Sequence, residues 1–512
     1  MKSTSVLLLI VVISVAVAFL PILISKRGPT GATDKKNRTS KRQTIIENMS
    51  KTRSVGTSSR YIINDSPAYE STSLRSDDDT QHGWRVGEPA AEDIQQYFES
   101  AIQDLIPQEG DPICMDYSLY TGTGGISYAF LHLAEISKNQ QQKERYLGWA
   151  SHFFELAKDC WLKYDRRSLW SEEIISFVLG PSGILGLQIW LGKVAENQAM
   201  MEEGVQGIMG FKDLVLTTDQ DNEILYGRAG YLFSLLWARK HAGEQSVPND
   251  VITEVTDKIF QEGQVLQPRS GHLMYEWHRS RYLGGAHGVT GIVTILLQAL
   301  EAVHPGGLEG LRQVWAQQQQ QQDEMKGAAA EEKRSEGATK LSNQLVLLRN
   351  TMDFLVELQL PDGNLPTRPE DRARERAGSQ DALVQWCHGA PGLLQAALAA
   401  YRLFEDQRYL DSAKAAAQII WTKGILTKGN GLCHGVSGNG YCFLQLHAAT
   451  GDPEALYRAQ QFGRACASPA VARRQRTPDR PLSLFEGLAG ELLFLADLLA
   501  RPGQAAFPAV FL

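Results

Sequence analysis

At seven places in this chain a Gly-x-x-Gly stands at the head of an apolar run: Gly122/Gly125, Gly180/Gly183, Gly227/Gly230, Gly288/Gly291, Gly389/Gly392, Gly435/Gly438 and Gly487/Gly490. Each copy opens an apolar run of helical length, such as residues 126–133, 292–300 and 492–499. Successive first glycines lie 58, 47, 61, 101, 46 and 52 residues apart. Most of these gaps suit one outer helix, a loop and one inner helix, so the repeat predicts seven helical hairpins. Lacking side chains, the glycines let the first turns of neighbouring inner helices approach closely. The free N–H groups and positive dipole ends of those helices then aim at a common centre. Almost nothing alternates as a strand does, and the chain reads as all-helical from residue 94 onward.

Two of the seven copies carry more than glycine. Residues 430–438 read Asn-Gly-Leu-Cys-His-Gly-Val-Ser-Gly, and residues 386–392 read Trp-Cys-His-Gly-Ala-Pro-Gly. Gly431, Gly435 and Gly438 supply backbone freedom that lets adjacent Cys433 and His434 face one cation. Zinc favours thiolate and imidazole, and a catalytic zinc keeps one position open. Cys387, Cys433 and one histidine make such a three-ligand set. Spacing does not choose between His388 and His434. The alternative without a metal has the cysteines as small buried apolar residues and the histidines as hydrogen-bonded helix starts.

The 512 residues suffice for a large core or two domains, and a net charge of −7 gives no footprint for nucleic acid. Six cysteines in so long a chain do not form a disulfide framework; reduced thiols imply cytosolic surroundings. Residues 6–24 are uncharged and aliphatic over a bilayer-spanning length, so residues 1–25 are expected to be a transmembrane anchor. Basic residues follow this run more densely than they precede it, which places the body of the protein in the cytosol. Sequons at Asn37, Asn48 and Asn64 argue for the opposite orientation. Residues 26–90 read as a polar flexible linker and 91–512 as the folded domain, with a low-complexity insert at about 315–340. That insert, which begins in a run of glutamines, is expected to be a surface loop; it or an extra element fills the 101-residue gap.

The motifs Leu-Tyr-Gly-Arg-Ala-Gly (225–230), Tyr-Leu-Gly-Gly-Ala-His-Gly (282–288), the two Cys-His-Gly segments and Ser-Leu-Phe-Glu-Gly-Leu-Ala-Gly (483–490) together resemble the lanthionine synthetase C-like family, in its eukaryotic branch. The resemblance covers roughly residues 90–512. It implies an α/α toroid of seven helical hairpins, a double-layered α-barrel with one zinc at its mouth. Carried over by position, the zinc ligands are Cys387, Cys433 and His434, and His388 matches a neighbouring active-site position. His287 matches the proposed acid/base residue, its alternative being a helix cap. Glu223 matches an acidic active-site residue of bacterial members. Lys428, Arg476 and Arg60 match basic residues that hold glutathione. Bacterial cyclases carry an arginine shortly before the first cysteine; residues 381–386 have none, which argues against peptide cyclisation. The resemblance therefore implies zinc-dependent addition of glutathione to dehydroalanine or dehydrobutyrine residues of proteins. Two other readings are an abscisic-acid-receptor-like signalling protein with structural zinc and a carbohydrate-active toroid enzyme that pairs Glu223 with Glu486.

Overall fold

The first glycine of every Gly-x-x-Gly copy is the N-cap of a helix. The computed structural model describes residues 60–69, 89–107, 111–164, 175–266, 270–324, 340–375 and 382–512. In chain order the main helices are α1 (Pro89–Asp104), α2 (Thr123–Ile136), α3 (Gln140–Tyr164), α4 (Pro181–Val194), α5 (Gln198–Met209), α6 (Arg228–Ala242), α7 (Asn249–Val265) and α8 (Val289–Val303). They continue as α9 (Gly307–Glu324), α10 (Lys340–Leu358), α11 (Ala390–Phe404), α12 (Gln407–Lys423), α13 (Val436–Thr450), α14 (Pro453–Ala467) and α15 (Leu488–Ala500). The helices that follow the glycines touch in a closed cycle, α2–α4–α6–α8–α11–α13–α15 and back to α2. The others form an outer layer, and α1 packs on α15 to complete the seventh pair. This is the expected α/α toroid. Among the described residues there are only isolated bridges and no strand.

The inner helices are apolar on nearly every side because both of their faces are covered. In α2, all residues from Thr123 to Ala134 are buried. Each large apolar side chain so covered contributes about 1.5–3 kcal/mol. The outer helices show one apolar stripe instead; in α7 the buried positions include Val251, Ile252, Val255, Ile259 and Phe260.

The loops that lead into the inner helices are joined to one another by backbone hydrogen bonds. Tyr120 N–H donates to Val178 O (2.9 Å), Phe177 to Gly230 O (3.2 Å), Ile224 to Ala286 O (3.2 Å) and Gly285 to Trp386 O (3.0 Å). Cys387 N–H then donates to Cys433 O (3.4 Å), Cys433 to Phe485 O (2.8 Å) and Phe485 to Tyr120 O (3.1 Å), which closes the circle. All seven run in the same direction around the toroid.

That ring explains the glycines, and the explanation differs from the expected one. Gly431, Gly435 and Gly438 do not have positive φ; of the repeat glycines only Gly389 does, at 110°. What they provide is room. Each loop lies directly over the first turn of its own helix, and a Cβ on Gly438 would fall 1.8 Å from Leu432 O. Contact with the loop of the neighbouring repeat is the smaller part, as where a Cβ on Gly490 would meet Leu432 Cγ at 2.6 Å, except at Gly392, where Gly285 N at 2.6 Å is the nearest atom.

Two further expectations change. The glutamine run belongs to α9, which continues as helix to Glu324; residues 325–339 lie outside the described residues. The long gap thus holds an extra helix, with both α9 and α10 packed on α11. Residues 60–69, assigned to the flexible linker, are laid onto the domain instead. Ile62 is buried and its N–H donates to Ile425 O (2.7 Å), and Tyr457 donates its hydroxyl to Pro67 O (2.8 Å). Asn64 donates its amide, the atom a glycan would occupy, to Trp421 O at 2.8 Å. The proposed anchor and the sequons at Asn37 and Asn48 lie outside the described residues. Among the described residues no single helix is long and apolar enough to cross a membrane.

Gly438→Ala is expected to lower stability in urea unfolding by about 1–3 kcal/mol, the usual cost of overpacking. Gly148→Ala, on an exposed turn of α3 with nothing within 4 Å of the new methyl, is the control. It should be neutral or stabilising by up to about 1 kcal/mol. Equal losses at both positions would remove close approach as the reason for the repeat.

Candidate metal centre and its surroundings

The ring imposes a register on every loop. The residue two places before the first glycine is buried in all seven: Tyr120, Val178, Leu225, Ala286, Cys387, Cys433 and Phe485. The residue one place before is half-buried in all seven: Thr121, Leu179, Tyr226, His287, His388, His434 and Glu486. The first set is turned into the wall; the second remains accessible at the mouth. Five of the chemically capable side chains therefore stand on consecutive loops, from Tyr226 round to Glu486.

Cys387 Sγ, Cys433 Sγ and a ring nitrogen of His434 lie within 4.8 Å of one another. Ligands of one tetrahedral ion at about 2.0–2.3 Å stand about 3.5–3.8 Å apart. The donor set and its spacing fit zinc, and the residues brought together are those that the family resemblance chose. The Cys433 thiol hydrogen-bonds to Cys387, which holds Cys387 well below the ordinary thiol range against the opposing effect of burial. Burial pushes Cys433 up. Cys442 and Cys466 are also pushed up by burial and lie outside the cluster.

His388 shares the loop but not the cluster. Its Nδ1 is buried without a hydrogen-bond partner among the described residues, and its ring lies 5.3 Å from that of Tyr282 and 6.3 Å from that of His287. Burial lowers its pKa, opposed by the charge on Cys387.

His287 does not cap a helix; Gly288 does, with no side-chain bond. Instead His287 Nδ1 meets Glu223 Oε2 at 2.9 Å. Glu223 is itself fixed by backbone N–H groups of Leu225 (2.9 Å) and Tyr226. With both oxygens engaged it is poorly suited to act as one of a glycosidase pair. Buried Arg228 holds the preceding loop through the carbonyls of Val215, Thr218 and Gln220. Trp277 stacks on His287 with centroids 3.8 Å apart and planes 6° from parallel. A two-residue turn with positive φ at His278 and Arg279 presents that indole, closed by two 3.0 Å bonds between Trp277 and Ser280.

The main chains of the three basic residues meet at Thr427. Arg60 O accepts from Thr427 N–H and hydroxyl, both at 3.1 Å, and Arg476 N–H donates to Thr427 O at 2.8 Å. Lys428 is the next residue, and its charge acts on both His388 and Glu486. Glu486 is raised chiefly by burial, with His434 and Lys428 among the groups that oppose it.

Tyr120, Gln385, Trp277 and Tyr282 were not singled out from the sequence. The register offered a signal for one of them, since Tyr120 holds the place in the first repeat that the cysteines hold in the fifth and sixth. A cavity of about 950 Å³ opens between α8, α11 and α13, lined among others by Gln298, Gln395 and Arg402; none of the nine candidate residues lines it.

The sequence profile described as lanthionine synthetase C-like protein matches residues 114–335 and 327–512. A relative in Danio rerio, named glutathione S-transferase LANCL1, is 30% identical over 433 residues, covering 81% of this chain and 92% of its own. The solved structure of nisin cyclase superposes with a TM-score of 0.54 at 15% identity, over 81% of this chain and 98% of that one.

Purified protein is expected to carry one zinc per chain. Cys387→Ala and Cys433→Ala should lose it, whereas Cys114→Ala, Cys160→Ala and Cys466→Ala should not; full occupancy in either of the first two would remove the site.

The loop that carries Cys433 and His434 also rests on a buried acid. Glu491 accepts hydrogen bonds from Asn430 Nδ2 (3.0 Å) and Tyr97 OH (2.9 Å), and burial pushes its pKa from 4.5 up to about 7. The folded state then binds this proton more tightly than the unfolded chain, so its contribution to stability is lost as pH rises from about 4.5 through about 7. Urea unfolding at pH 5 and pH 8 should show the native chain losing about 3 kcal/mol relative to Glu491→Gln. Parallel curves would mean that the carboxyl is already ionised at pH 5.

Proposed function

The chain belongs to the lanthionine synthetase C-like family, and on that premise we propose that it adds the thiol of glutathione to dehydroalanine and dehydrobutyrine residues of proteins. The observation that carries this reading is a juxtaposition. A Cys387–Cys433–His434 cluster, a Glu223–His287 pair and a basic group at Thr427 converge from different parts of the chain on one mouth. The relative named as a glutathione S-transferase supports the choice of thiol.

Zinc held by Cys387, Cys433 and His434 would supply stabilisation of the incoming thiol as its thiolate. The remaining work falls to the protein. Lys428, Arg476 and Arg60 are suited to the two carboxylates of glutathione, which lie away from its sulfur. As the sulfur bonds to Cβ of the dehydroamino acid, the double-bond electron pair moves onto the enolate. His287 then gives a proton to Cα. Glu223 on Nδ1 fixes the orientation of the ring and leaves Nε2 as the nitrogen that exchanges the proton. The stacked Trp277 indole keeps the ring plane fixed.

The test is glutathione addition to a dehydroalanine peptide by zinc-loaded protein. His287→Asn keeps a donor for Glu223 but has no proton to transfer, so turnover should fall on the order of a hundredfold to ten-thousandfold. Zinc content should not change. Lys428→Ala and Arg476→Ala should mainly raise the glutathione concentration for half-maximal rate. Undiminished turnover in His287→Asn removes the acid from the mechanism. No thioether product from the zinc-loaded native chain overturns the reading.

A further inference from the structure

Each sulfur of the cluster is met by a polar side chain that does not belong to it. Gln385 Nε2 donates a hydrogen bond to Cys387 Sγ at 3.2 Å, and the Tyr120 side chain interacts with Cys433. Both side chains are buried, Gln385 at 5% exposure and Tyr120 at 3%, so water does not compete for the sulfurs.

Both are also held in place. Tyr120 lies between two bonds of the backbone ring, its N–H on Val178 and its carbonyl under Phe485 N–H. Its ring stacks on Phe485 with centroids 4.8 Å apart and planes at 11°. Gln385 exchanges two backbone bonds with His388, at 3.0 and 3.1 Å, which folds the intervening Trp386 and Cys387 into a tight turn. Tyr120 comes from the first repeat and Gln385 from the fifth, so two separate loops are aimed at one pair of sulfurs.

We propose that Tyr120 and Gln385 are positioning residues of the metal centre, each fixing the direction of one cysteine sulfur and drawing negative charge from it. The proposal rests on the metal-centre reading above. A hydrogen bond to a sulfur ligand in a low-dielectric wall is stronger than the same bond in water. It holds the sulfur toward the cation and lowers its electron donation. This matters most with glutathione present, because three sulfurs then carry more negative charge than the ion neutralises. Two donors offset part of that excess without adding a formal charge.

The test uses Tyr120→Phe, which keeps the ring and its stack, and Gln385→Leu, which keeps the approximate shape. Zinc affinity, read by competition with a chromophoric chelator, should weaken about 10- to 100-fold in each. In the cobalt-substituted proteins the sulfur-to-cobalt charge-transfer absorption should move to longer wavelength, because a sulfur relieved of its hydrogen bond gives up an electron more easily. The ligand-field bands should retain tetrahedral intensity. Unchanged affinity overturns the proposal. So does weaker affinity with an unmoved charge-transfer band, which would mean that these side chains only fill space. Native protein that binds neither zinc nor cobalt overturns the metal-centre reading itself, and is distinguished because the variants then match the native chain. If Tyr120→Phe does not fold, Gln385→Leu decides, and an unmoved band there is sufficient to reject the proposal.

Discussion

Seven backbone hydrogen bonds around the mouth of the toroid govern the rest of the structure. Each loop gives one N–H to the next repeat, and the last returns to the first. Buried backbone groups must find partners, and here they find them in the neighbouring repeat, six in its loop and one, Gly230 O, in the first turn of α6. To reach those partners each loop has to lie flat over the first turn of its helix, which excludes a Cβ there. The glycine repeat is thus a consequence of the hydrogen-bonded ring. So is the alternation of buried and accessible positions just before each helix.

The site inherits its precision from the same source. Cys387 and Cys433 are not merely near one another; the N–H of the first donates to the carbonyl of the second, and Cys433 donates on to Phe485. The two cysteines are therefore part of the frame. His287 is placed differently, through Glu223 and Trp277, which belong to the loops on either side of it in space or sequence. One half of the site is built from backbone geometry and the other from side-chain contacts.

The fold was legible in the sequence because its cause recurs: glycine at a fixed spacing, then an apolar run, seven times. The cysteines and histidines were legible because their chemistry is scarce and sits inside that repeat. What escaped notice did so for physical reasons. Tyr120 and Gln385 carry no unusual chemistry alone and matter only through which sulfur each meets. The glutamine run gave no apolar pattern, yet it extends α9 because glutamine is a good helix former. Residues 60–69 look like linker by composition, and only Ile62 among them is buried. Their hold on the domain is largely through backbone and amide hydrogen bonds, which composition does not report.

The accessible position before each first glycine has a consequence for how such a protein can change over evolutionary time. Thr121, Leu179, Tyr226, His287, His388, His434 and Glu486 span five side-chain types, from aliphatic to acidic, yet each stands on an equivalent platform. Because the frame is made of main-chain atoms and glycines, the side chain at that position is not needed to assemble it. Seven places can therefore be altered one at a time, each with a different neighbour pair, while the barrel is left alone. The architecture behaves as a rack with interchangeable fittings, and new reactivity can be reached by single substitutions without passing through an unfolded ancestor.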